Sequence, residues 1–357
     1  MALLAQWGER IRQAAASGAP LAVRGGGTKQ FYGNEPRGEV FDTREWQGIE
    51  SHEPSELVIT VRAGTPLAQV EAQLASQRQM LAFEPPHFGD GATLGGCVAA
   101  GIAGPRRASA GYAWGAVRDA VLGARLLDGR GRVLKFGGTV IKNVAGYDVS
   151  RLLAGSLGTL GVIVDVSLKV LPMPASELTL CFECDEEQAL RLLNTWGARP
   201  LPLSASCWQA GQLRVRLSGA EPAVQAAAVA LGGAREQEAK ALEFWRDVRE
   251  QRLACFDGEM PLWRFSVPAN ARPLSLPGAQ LIEWGGALRW LRSDAPVEIL
   301  RARARALGGH ATLFRGPSPR RGVFTPLSPA LLAIHRRLKQ QFDPAGIFNP
   351  GRMYADF

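Results

Sequence analysis

Four glycine-rich patches in the first half of the chain constrain its fold more than any other feature. They are residues 24–28 (RGGGT), 88–104 (FGDGATLGGCVAAGIAG), 137–148 (GGTVIKNVAGYD) and 154–163 (AGSLGTLGVI). Because glycine has no Cβ and permits positive φ, a ligand can lie directly against the main chain of such loops. Successive exposed amides bind anions. The patches therefore predict either a site for a large anionic ligand with a pyrophosphate, or a β-rich domain with many tight turns.

Two common phosphate-binding motifs do not account for these glycines. The Walker pattern, GxxxxGK followed by Ser or Thr, does not occur in the sequence. A Rossmann fingerprint should follow a strand and open a helix. GDGATLGG instead follows EPPHF, which is not strand-like, and no helical pattern follows RGGGTKQFYGN. Any phosphate site in this chain must therefore be of another type.

Composition and charge narrow the class of protein. The chain has 357 residues, 46% of them hydrophobic and 21% charged, which is typical of a folded protein with room for two domains. The formal net charge is +8, but no basic run is interleaved with aromatic residues, so we expect no nucleic-acid binding. The N-terminus lacks a signal-peptide pattern, and the uncharged run 91–105 is too short and glycine-rich to span a bilayer. We expect a cytoplasmic protein that reaches the inner membrane only through partners.

Hydrophobic periodicity predicts both helices and strands along the chain. In the first half we expect helices at 3–16 and after Thr65-Pro66, where Leu67, Val70 and Leu74 share one face. Strands are expected at 19–25, 55–64, 120–138 and 161–174, with a turn at DGRG inside the third range. In the second half we expect strands at 178–183 and 203–217 and helices at 185–197 and 221–231.

The composition changes near residue 173, where glycine clusters become rarer and Trp, Glu and Arg more frequent. We therefore predict three segments: a first domain at 1–173, a mixed α+β domain at 174–327, and a C-terminal segment at 328–357. The last segment begins as an amphipathic helix and ends in a Pro/Gly-rich tail.

The five cysteines do not predict a metal or disulfide site. Their number is odd in a large chain, which argues against a disulfide framework. The one CxxC, at 181–184, lies in an alternating strand pattern that places the two thiols on opposite sides. No spacing matches an iron–sulfur cluster, so any such cluster must belong to another chain.

Several segments, taken in order, resemble one family of flavoproteins. The chain resembles the FAD-binding domain of vanillyl-alcohol-oxidase-type (PCMH-type) proteins, and within them the FAD-binding E-subunit family of bacterial glycolate oxidase. The resemblance covers nearly all of 20–172 and the tail. It is carried by RGGGT (24–28), ELVITVRAGTPLAQVEAQL (56–74), FEPPHFGDGATLGGCVAAGIAGPRR (83–107), VRDAVLGARLLDGRG (117–131), KNVAGYDVSRLLAGSLGTLGVI (142–163) and FDPAGIFNPGRM (342–353).

This resemblance implies an α+β fold in which two subdomains hold FAD, a cap domain follows, and the tail returns to the FAD domain. The first pyrophosphate loop would be Arg24, Gly25, Gly26, Gly27 and Thr28. We expect Gly26→Val to abolish FAD retention because its side chain would occupy the space of the phosphate. The other implied cofactor-binding residues are Gly91, Ala92, Thr93, Leu94, Gly95, Gly96, Gly101, Gly111, Asp119, Gly158, Thr159, Gly161, Val162, Ile163 and Asn349.

Thr28 bears on how the cofactor is attached. Some relatives bind flavin covalently through a histidine at the end of the first glycine loop, and this chain has Thr28 there. Threonine cannot form that bond, so the resemblance implies non-covalent FAD. His87, the other histidine near a glycine patch, is expected to be an ordinary loop residue.

Candidates for substrate chemistry are few, since the chain has only four histidines. His310 is the best candidate for a general base, because imidazole is most easily poised near neutral pH. A hydrogen-bonded strand histidine is an equal alternative. Arg315, with Arg320 and Arg321 nearby, is a candidate for pairing with a substrate carboxylate. The alternative for these arginines is a solvated or subunit-facing loop. No metal site is expected.

The resemblance implies an FAD-dependent oxidoreductase acting on a small 2-hydroxy acid. As a glycolate oxidase subunit, the chain would take part in oxidising glycolate to glyoxylate. Electrons would pass through FAD to an iron–sulfur subunit, with a second FAD-containing subunit in the complex. Two alternatives stay open: a stand-alone flavin dehydrogenase for another 2-hydroxy acid such as D-lactate, and a non-catalytic assembly subunit with structural FAD.

Overall fold

The computed structural model describes residues 2–106, 115–139, 148–317 and 320–355, which form two compact units. Unit 1 is built from the described residues of Met1–Ile102, Ala116–Pro172 and Ser318–Phe357. Unit 2 is built from those of Ala103–Gly115 and Met173–Pro317. Most of the third glycine-rich patch, 140–147, lies outside the described residues.

The units differ from the predicted segments in two places, and side-chain contacts explain both. Arg320 donates to the carbonyls of Gln30 and Gly33 at 3.1 and 3.3 Å, so the stretch before the last helix belongs to unit 1. Arg106 pairs with Glu177 at 2.7 Å, so the residues after Ile102 belong to unit 2. The predicted domains themselves stay a prediction.

The helices and strands have the following bounds over the described residues. In the first half they are α1 Ala2–Ser17, β1 Leu21–Arg24, β2 Glu39–Asp42, β3 Ile49–Glu53, β4 Val58–Arg62, α2 Leu67–Ser76, β5 Gln79–Leu81, α3 Leu94–Ala100, α4 Val117–Ala120, β6 Val121–Leu127, β7 Val133–Gly137, α5 Val149–Leu152 and β8 Val162–Pro172. In the second half they are β9 Ser176–Glu183, α6 Glu186–Gly197, β10 Leu203–Gln209, β11 Gln212–Gly219, α7 Glu221–Leu231, β12 Ala234–Arg235, α8 Glu238–Glu250, β13 Leu262–Ser266, β14 Ala279–Glu283, β15 Leu288–Arg292, α9 Val297–Ala306, β16 His310–Arg315 and α10 Pro329–Phe342.

Unit 1 combines a small parallel pair with a larger antiparallel sheet. Strands β1 and β2 are parallel, and the tail joins β1 through a bridge between Leu21 and Phe348. The larger sheet has the order β3-β4-β8-β6-β7, and β5 pairs with the end of β8. Helix α1 packs its apolar face on β1, β2 and the tail. Burial of that face fixes the start of the first glycine loop, which directly follows β1.

Helix α2 shows how local sequence specifies an element of unit 1. Pro66 precedes the first helical residue, where its fixed φ suits the helix entry. Leu67, Val70 and Leu74 are all fully buried, as their three- and four-residue spacing predicts. The predicted helix and its buried face are confirmed.

The second glycine-rich patch contains a short helix that the sequence pattern did not predict. Thr93 caps α3 by accepting a hydrogen bond from the Gly96 amide at 3.3 Å, and Gly101 ends it with a φ of +64°. A Cβ on Gly95 would lie 2.5 Å from the Cβ of Ala63. Glycine at 95 therefore lets α3 pack closely against the chain after β4.

Unit 2 is an eight-stranded antiparallel sheet in the order β12-β9-β11-β10-β14-β15-β13-β16. One face is apolar. Over one half of the sheet, residues of α6 and α7 cover Leu180, Leu213 and Val215, and over the other half α9 covers Phe265 and Leu291. The residues that alternate with these point to the opposite face. Within the part of the chain that the structure describes, no helix is long and apolar enough to cross a membrane.

Candidate cofactor site

A cleft in unit 1 brings three of the four glycine-rich patches together with the C-terminal tail. The empty space between its lining atoms, including the part open to solvent, is ≈ 750 Å³. The lining residues are Val23, Arg24, Gly25, Gly26, Gly27, Thr28, Lys29, Gln30, Thr43, Ala63, Thr93, Gly95, Gly96, Ala99, Ala100, Leu157, Gly158, Gly161, Ile163, Asn349 and Arg352. The whole first loop predicted for pyrophosphate thus lines one cleft with parts of the second and fourth patches.

The first glycine loop has the main-chain geometry of an anion site. Across the described residues, the N–H groups of Gly25, Gly26, Gly27 and Thr28 have no hydrogen-bond acceptor. Gly27 has a φ of +75°, which turns the chain as it leaves β1. Consecutive amides without acceptors form a nest that suits phosphate oxygens. The residues present therefore fit a pyrophosphate-containing cofactor.

The structure corrects the reason given for glycine at position 26. A Cβ on Gly26 would overlap the carbonyl oxygen of Gly91, far inside van der Waals contact. A Cβ on Gly25 would likewise overlap the hydroxyl of Thr93. Side chains are excluded here because two glycine-rich segments touch each other. The space for phosphate lies on the side of the free amides.

Asn349 connects the tail to two sides of the cleft. Its Oδ1 accepts a hydrogen bond from the Val23 amide at 2.8 Å, and its Nδ2 donates to the Leu157 carbonyl at 2.6 Å. Its own amide donates to the Leu21 carbonyl at 2.9 Å. Asn349 lines the cleft and also fixes the distance between β1 and the fourth glycine-rich patch.

Arg352 is a cleft residue that the sequence reasoning missed. Its side chain is buried and donates to the carbonyls of Gln30, Tyr32 and Asn34, the first two at 2.9 and 2.6 Å. Burial, followed by the nearby charge of Arg320, lowers the pKa of Arg352 to about 10. This clamp holds the segment after the glycine loop. The signal was present in the tail motif FNPGRM, where Arg352 follows Asn349 by three residues.

Lys29 also lines the cleft, as do the cations Arg24 and Arg352. Its side chain is buried, its Nζ donates to the His87 carbonyl at 3.2 Å, and the Phe88 ring centroid lies 5.5 Å from Nζ. The His87 ring pairs with Glu71 at 2.9 Å. These contacts join the first glycine loop to the chain that leads into the second.

The fourth patch divides between lining and structural residues. Gly158, Gly161 and Ile163 line the cleft. A Cβ on Gly158 would lie 2.7 Å from Nδ2 of Asn349, so glycine allows the tail to approach. Thr159 and Val162 were predicted to bind the cofactor, but both are buried and neither is among the lining residues. Thr159 donates to the Ser156 carbonyl at 2.8 Å, and Val162 belongs to the core.

Other predicted cofactor residues are not among those that line the cleft. Ala92 and Leu94 are buried, and their amides donate to Gly89 and Thr65 within the protein. The remaining predicted positions are as follows: Gly91 backs the first loop, Gly101 ends α3, and Asp119 lies on α4 with its carboxylate 3.8 Å from Arg118. Gly111 lies outside the described residues. Roles for these residues in cofactor binding stay predictions.

Thr28 lines the cleft at the position where a covalent attachment would require histidine. We expect denaturation of the holoprotein in sodium dodecyl sulfate to release all of its flavin into an ultrafiltrate. The absorbance of filtrate and retentate measures this directly. Flavin that stays with the denatured chain would contradict non-covalent binding.

The two predicted substrate residues lie on strand β16 of unit 2, but the structure does not bring them together. His310 begins the strand and Arg315 ends it, so they are about 16 Å apart at ~3.3 Å per residue. That distance is too great for one small acid to touch both main-chain positions. Burial and then the charge of Arg292 lower the pKa of Arg315 to about 10. Arg320 donates to the Gln30 carbonyl and pairs with Glu35, both in unit 1. These contacts do not fit the suggested role of Arg320 in binding a substrate carboxylate.

The fold and the cleft define the class of protein. Residues 5–137 match the family described as FAD binding domain, and residues 323–353 match the C-terminal domain of FAD linked oxidases. A solved structure of alkyldihydroxyacetonephosphate synthase shares the fold, with a TM-score of 0.64 and 16% identity over 96% of this chain and 73% of that chain. The chain is thus an FAD-dependent oxidoreductase with an α+β fold, as predicted, and FAD is its cofactor.

The match to a glycolate oxidase subunit extends over almost the whole chain. The glycolate oxidase subunit GlcE of Escherichia coli (strain K12) is 49% identical over 98% of this chain and 96% of its own length. The chain therefore belongs to the family of this glycolate oxidase subunit, which confirms the predicted resemblance. D-lactate dehydrogenase of Archaeoglobus fulgidus is 35% identical over 43% of this chain and 33% of its own length. Glycolate oxidase subunit GlcD of Bacillus subtilis is 31% identical over 45% and 34%.

Proposed function

We propose that this chain is the FAD-binding subunit of a glycolate oxidase complex that converts glycolate to glyoxylate. One observation carries the proposal: the match to a subunit of that name extends over 98% of this chain and 96% of the relative. The match to D-lactate dehydrogenase covers only 43% of the chain. A stand-alone D-lactate dehydrogenase is therefore supported by less of the molecule.

The proposed partners are a second FAD-containing subunit and an iron–sulfur subunit that accepts the electrons. The relative's designation as a subunit supports a multi-subunit complex. Because no cysteine spacing in this sequence matches an iron–sulfur cluster, the electron acceptor is placed on another chain. We propose a cytoplasmic location, with any contact to the inner membrane made through the partners.

The residues of unit 1 have defined tasks in this function. Bound FAD supplies the hydride-accepting chemistry, and the protein supplies binding and orientation. The amides of Gly25–Thr28 bind the pyrophosphate. Arg352 and Asn349 hold the loop and the fourth patch at fixed positions through five hydrogen bonds to main-chain atoms. These bonds would hold the Gly25–Thr28 amides in a fixed arrangement toward a pyrophosphate, which would lower the entropic cost of binding.

Anaerobic reduction of the bound flavin tests the proposal. We expect glycolate to bleach the flavin absorbance of the chain when it is purified together with its partner subunits. Bleaching of the isolated chain by D-lactate, without partners and in preference to glycolate, would favour a stand-alone dehydrogenase. Bound flavin that neither acid reduces, in the chain or in the complex, would favour a structural role for FAD.

A further inference from the structure

Two neighbouring strands of unit 2 carry four polar side chains on one face. Arg264 and Ser266 lie in β13, and His310 and Thr312 lie in β16. The antiparallel register places Arg264 opposite Thr312 and Ser266 opposite His310. Directly opposite residues have Cβ atoms ~5 Å apart, and diagonal neighbours are ~7–8 Å apart. The four side chains therefore form one compact polar patch.

The patch faces away from the apolar core of unit 2. The residues that alternate with it, Trp263, Phe265 and Ala311, are buried in the cluster that α9 covers. Successive side chains of a strand point to opposite faces, so the polar patch is on the face that α9 does not cover. His310 is exposed, Arg264 and Ser266 are partly exposed, and Thr312 is buried. The patch is thus open to solvent at His310, Arg264 and Ser266.

Arg264 differs from the other arginines in the middle of this sheet. Arg289 donates to the carbonyls of Ala271, Arg272 and Gly286, and Arg292 also donates to main-chain carbonyls. Among the described residues, the Arg264 guanidinium makes no hydrogen bond or ion pair. Its Cζ lies over the Trp284 ring, 5.4 Å from the ring centroid. The five N–H donors of the Arg264 guanidinium, which have a fixed planar geometry, are therefore available to a planar acceptor such as a carboxylate.

Glu283 interacts electrostatically with Arg264 but is a weak counter-ion. Glu283 is buried, and its Oε1 accepts a hydrogen bond from Nε1 of Trp290 at 2.7 Å. Burial raises the pKa of Glu283 to about 7, although Trp290 and the charge of Arg264 oppose the increase. At neutral pH a large share of the Glu283 carboxyl is therefore protonated. The positive charge of Arg264 is only partly compensated.

His310 complements this charge because its ring is neutral at physiological pH. Partial desolvation of the His310 ring, and then the charge of Arg264, lower the pKa of His310 below the ordinary imidazole value. A neutral imidazole has one nitrogen that accepts a hydrogen bond. The patch thus combines a carboxylate-binding cation with a hydroxyl acceptor at the diagonal position.

We propose that Arg264, Thr312 and His310 form a binding site for a small 2-hydroxy carboxylate. The guanidinium of Arg264 pairs with the carboxylate, the hydroxyl of Thr312 donates to it, and His310 accepts from the 2-hydroxyl group. The choice of a hydroxy acid as ligand rests on the proposed function. The carboxylate partner is Arg264, directly across from Thr312, whereas Arg315 lies at the far end of β16.

Calorimetric titration with oxalate tests the site without turnover. Oxalate carries the carboxylate but has no oxidisable carbon–hydrogen bond. We expect Arg264→Gln holoprotein to bind oxalate about 10- to 100-fold more weakly than the unmodified holoprotein, since hydrogen bonds to charged groups are lost. Arg264→Lys should fall between them, because it keeps the charge without the planar fork. Arg246→Gln, an exposed arginine on α8, is the matched control and should leave the affinity unchanged.

The outcomes separate this site from the proposed function. Equal oxalate affinity in Arg264→Gln and the unmodified protein, with unchanged thermal unfolding, would overturn the site. So would an equal loss in Arg246→Gln, which would indicate non-specific charge attraction. If Arg264→Gln does not fold, Arg264→Lys is used for the test instead. Unchanged oxalate affinity in both Arg264→Lys and Thr312→Val would then refute the site. Failure of glycolate to reduce the flavin would instead refute the function while the oxalate titration still reports on Arg264.

Discussion

We expect Gly26→Ala to abolish retention of FAD, so that the variant chain purifies with little or no flavin absorbance. The added methyl group would overlap the Gly91 carbonyl oxygen, so the first two glycine-rich segments must separate. Overpacking a core typically costs ~1–3 kcal/mol, and here the obstacle is main chain that cannot rotate away. Separation of the segments displaces the four free amides from the positions that suit pyrophosphate. Flavin content per chain and the midpoint of thermal unfolding measure the two effects.

The matched control for this variant is Gly197→Ala. Gly197 ends helix α6, and a Cβ there meets no atom within 4 Å. Alanine is also the better helix former, so this change should leave the flavin content unaltered and should not lower the unfolding temperature. Normal flavin content in Gly26→Ala would show that the two segments do not touch as described. It would also remove the first loop from the cofactor site.

We expect Lys339→Met to destabilise the protein by about 3–5 kcal/mol, the usual cost of removing one partner of a buried ion pair. The buried Lys339 ammonium donates to the Thr159 carbonyl, the Asp343 carboxylate and the Phe348 carbonyl at 2.7, 2.7 and 2.8 Å. Asp343 is fully buried and also accepts from the amides of Ile347 and Phe348. Urea unfolding followed by far-ultraviolet circular dichroism gives the change in free energy of unfolding.

A double variant identifies the source of that loss. Lys339→Met combined with Asp343→Asn removes the uncompensated carboxylate, so part of the lost stability should return. Arg337→Met, on the exposed face of α10, controls for the loss of a positive charge and should change the free energy of unfolding little. If Lys339→Met and Arg337→Met are equally stable, the ion pair does not hold the tail.

The tail shows what local pattern can and cannot indicate. A helix followed by a Pro/Gly-rich segment was expected from the sequence, and α10 spans Pro329–Phe342. Asn349 was assigned to the cofactor site from resemblance. The buried clamp of Lys339 and the carbonyl-binding role of Arg352 were not predicted, because both residues read as ordinary exposed cations in a helix and a turn. Lys339 has a nearby partner in Asp343, but its contact with Thr159 and the contact of Arg352 with Tyr32 join residues 180 and 320 positions apart. No local pattern indicates contacts over such separations.

The candidate substrate residues of unit 2 also show that closeness in sequence does not predict closeness in the fold. His310 and Arg315 are close in sequence, which suggested a common site. A strand extends ~3.3 Å per residue, so five positions separate them widely. Arg264 is 46 positions from His310 by number, yet the register of β13 and β16 makes them diagonal neighbours. Pairing between strands decided which arginine stands near the histidine.

Local sequence patterns predicted most of the secondary structure, because period-two strands and capped helices are short-range patterns. The class of fold and the cofactor came from the resemblance of several segments to one flavoprotein family, since the glycine patches alone left two interpretations open. α2, β6, β7 and α7 lie where periodicity predicted them. The folded chain was needed to show that Gly26 is required by contact with Gly91, that α3 lies inside a presumed loop, and that Arg352 and Arg264 have distinct tasks. Each of these depends on main-chain atoms that meet only after long loops have closed. The residue types required at these positions are therefore set by tertiary packing rather than by neighbouring residues in the chain.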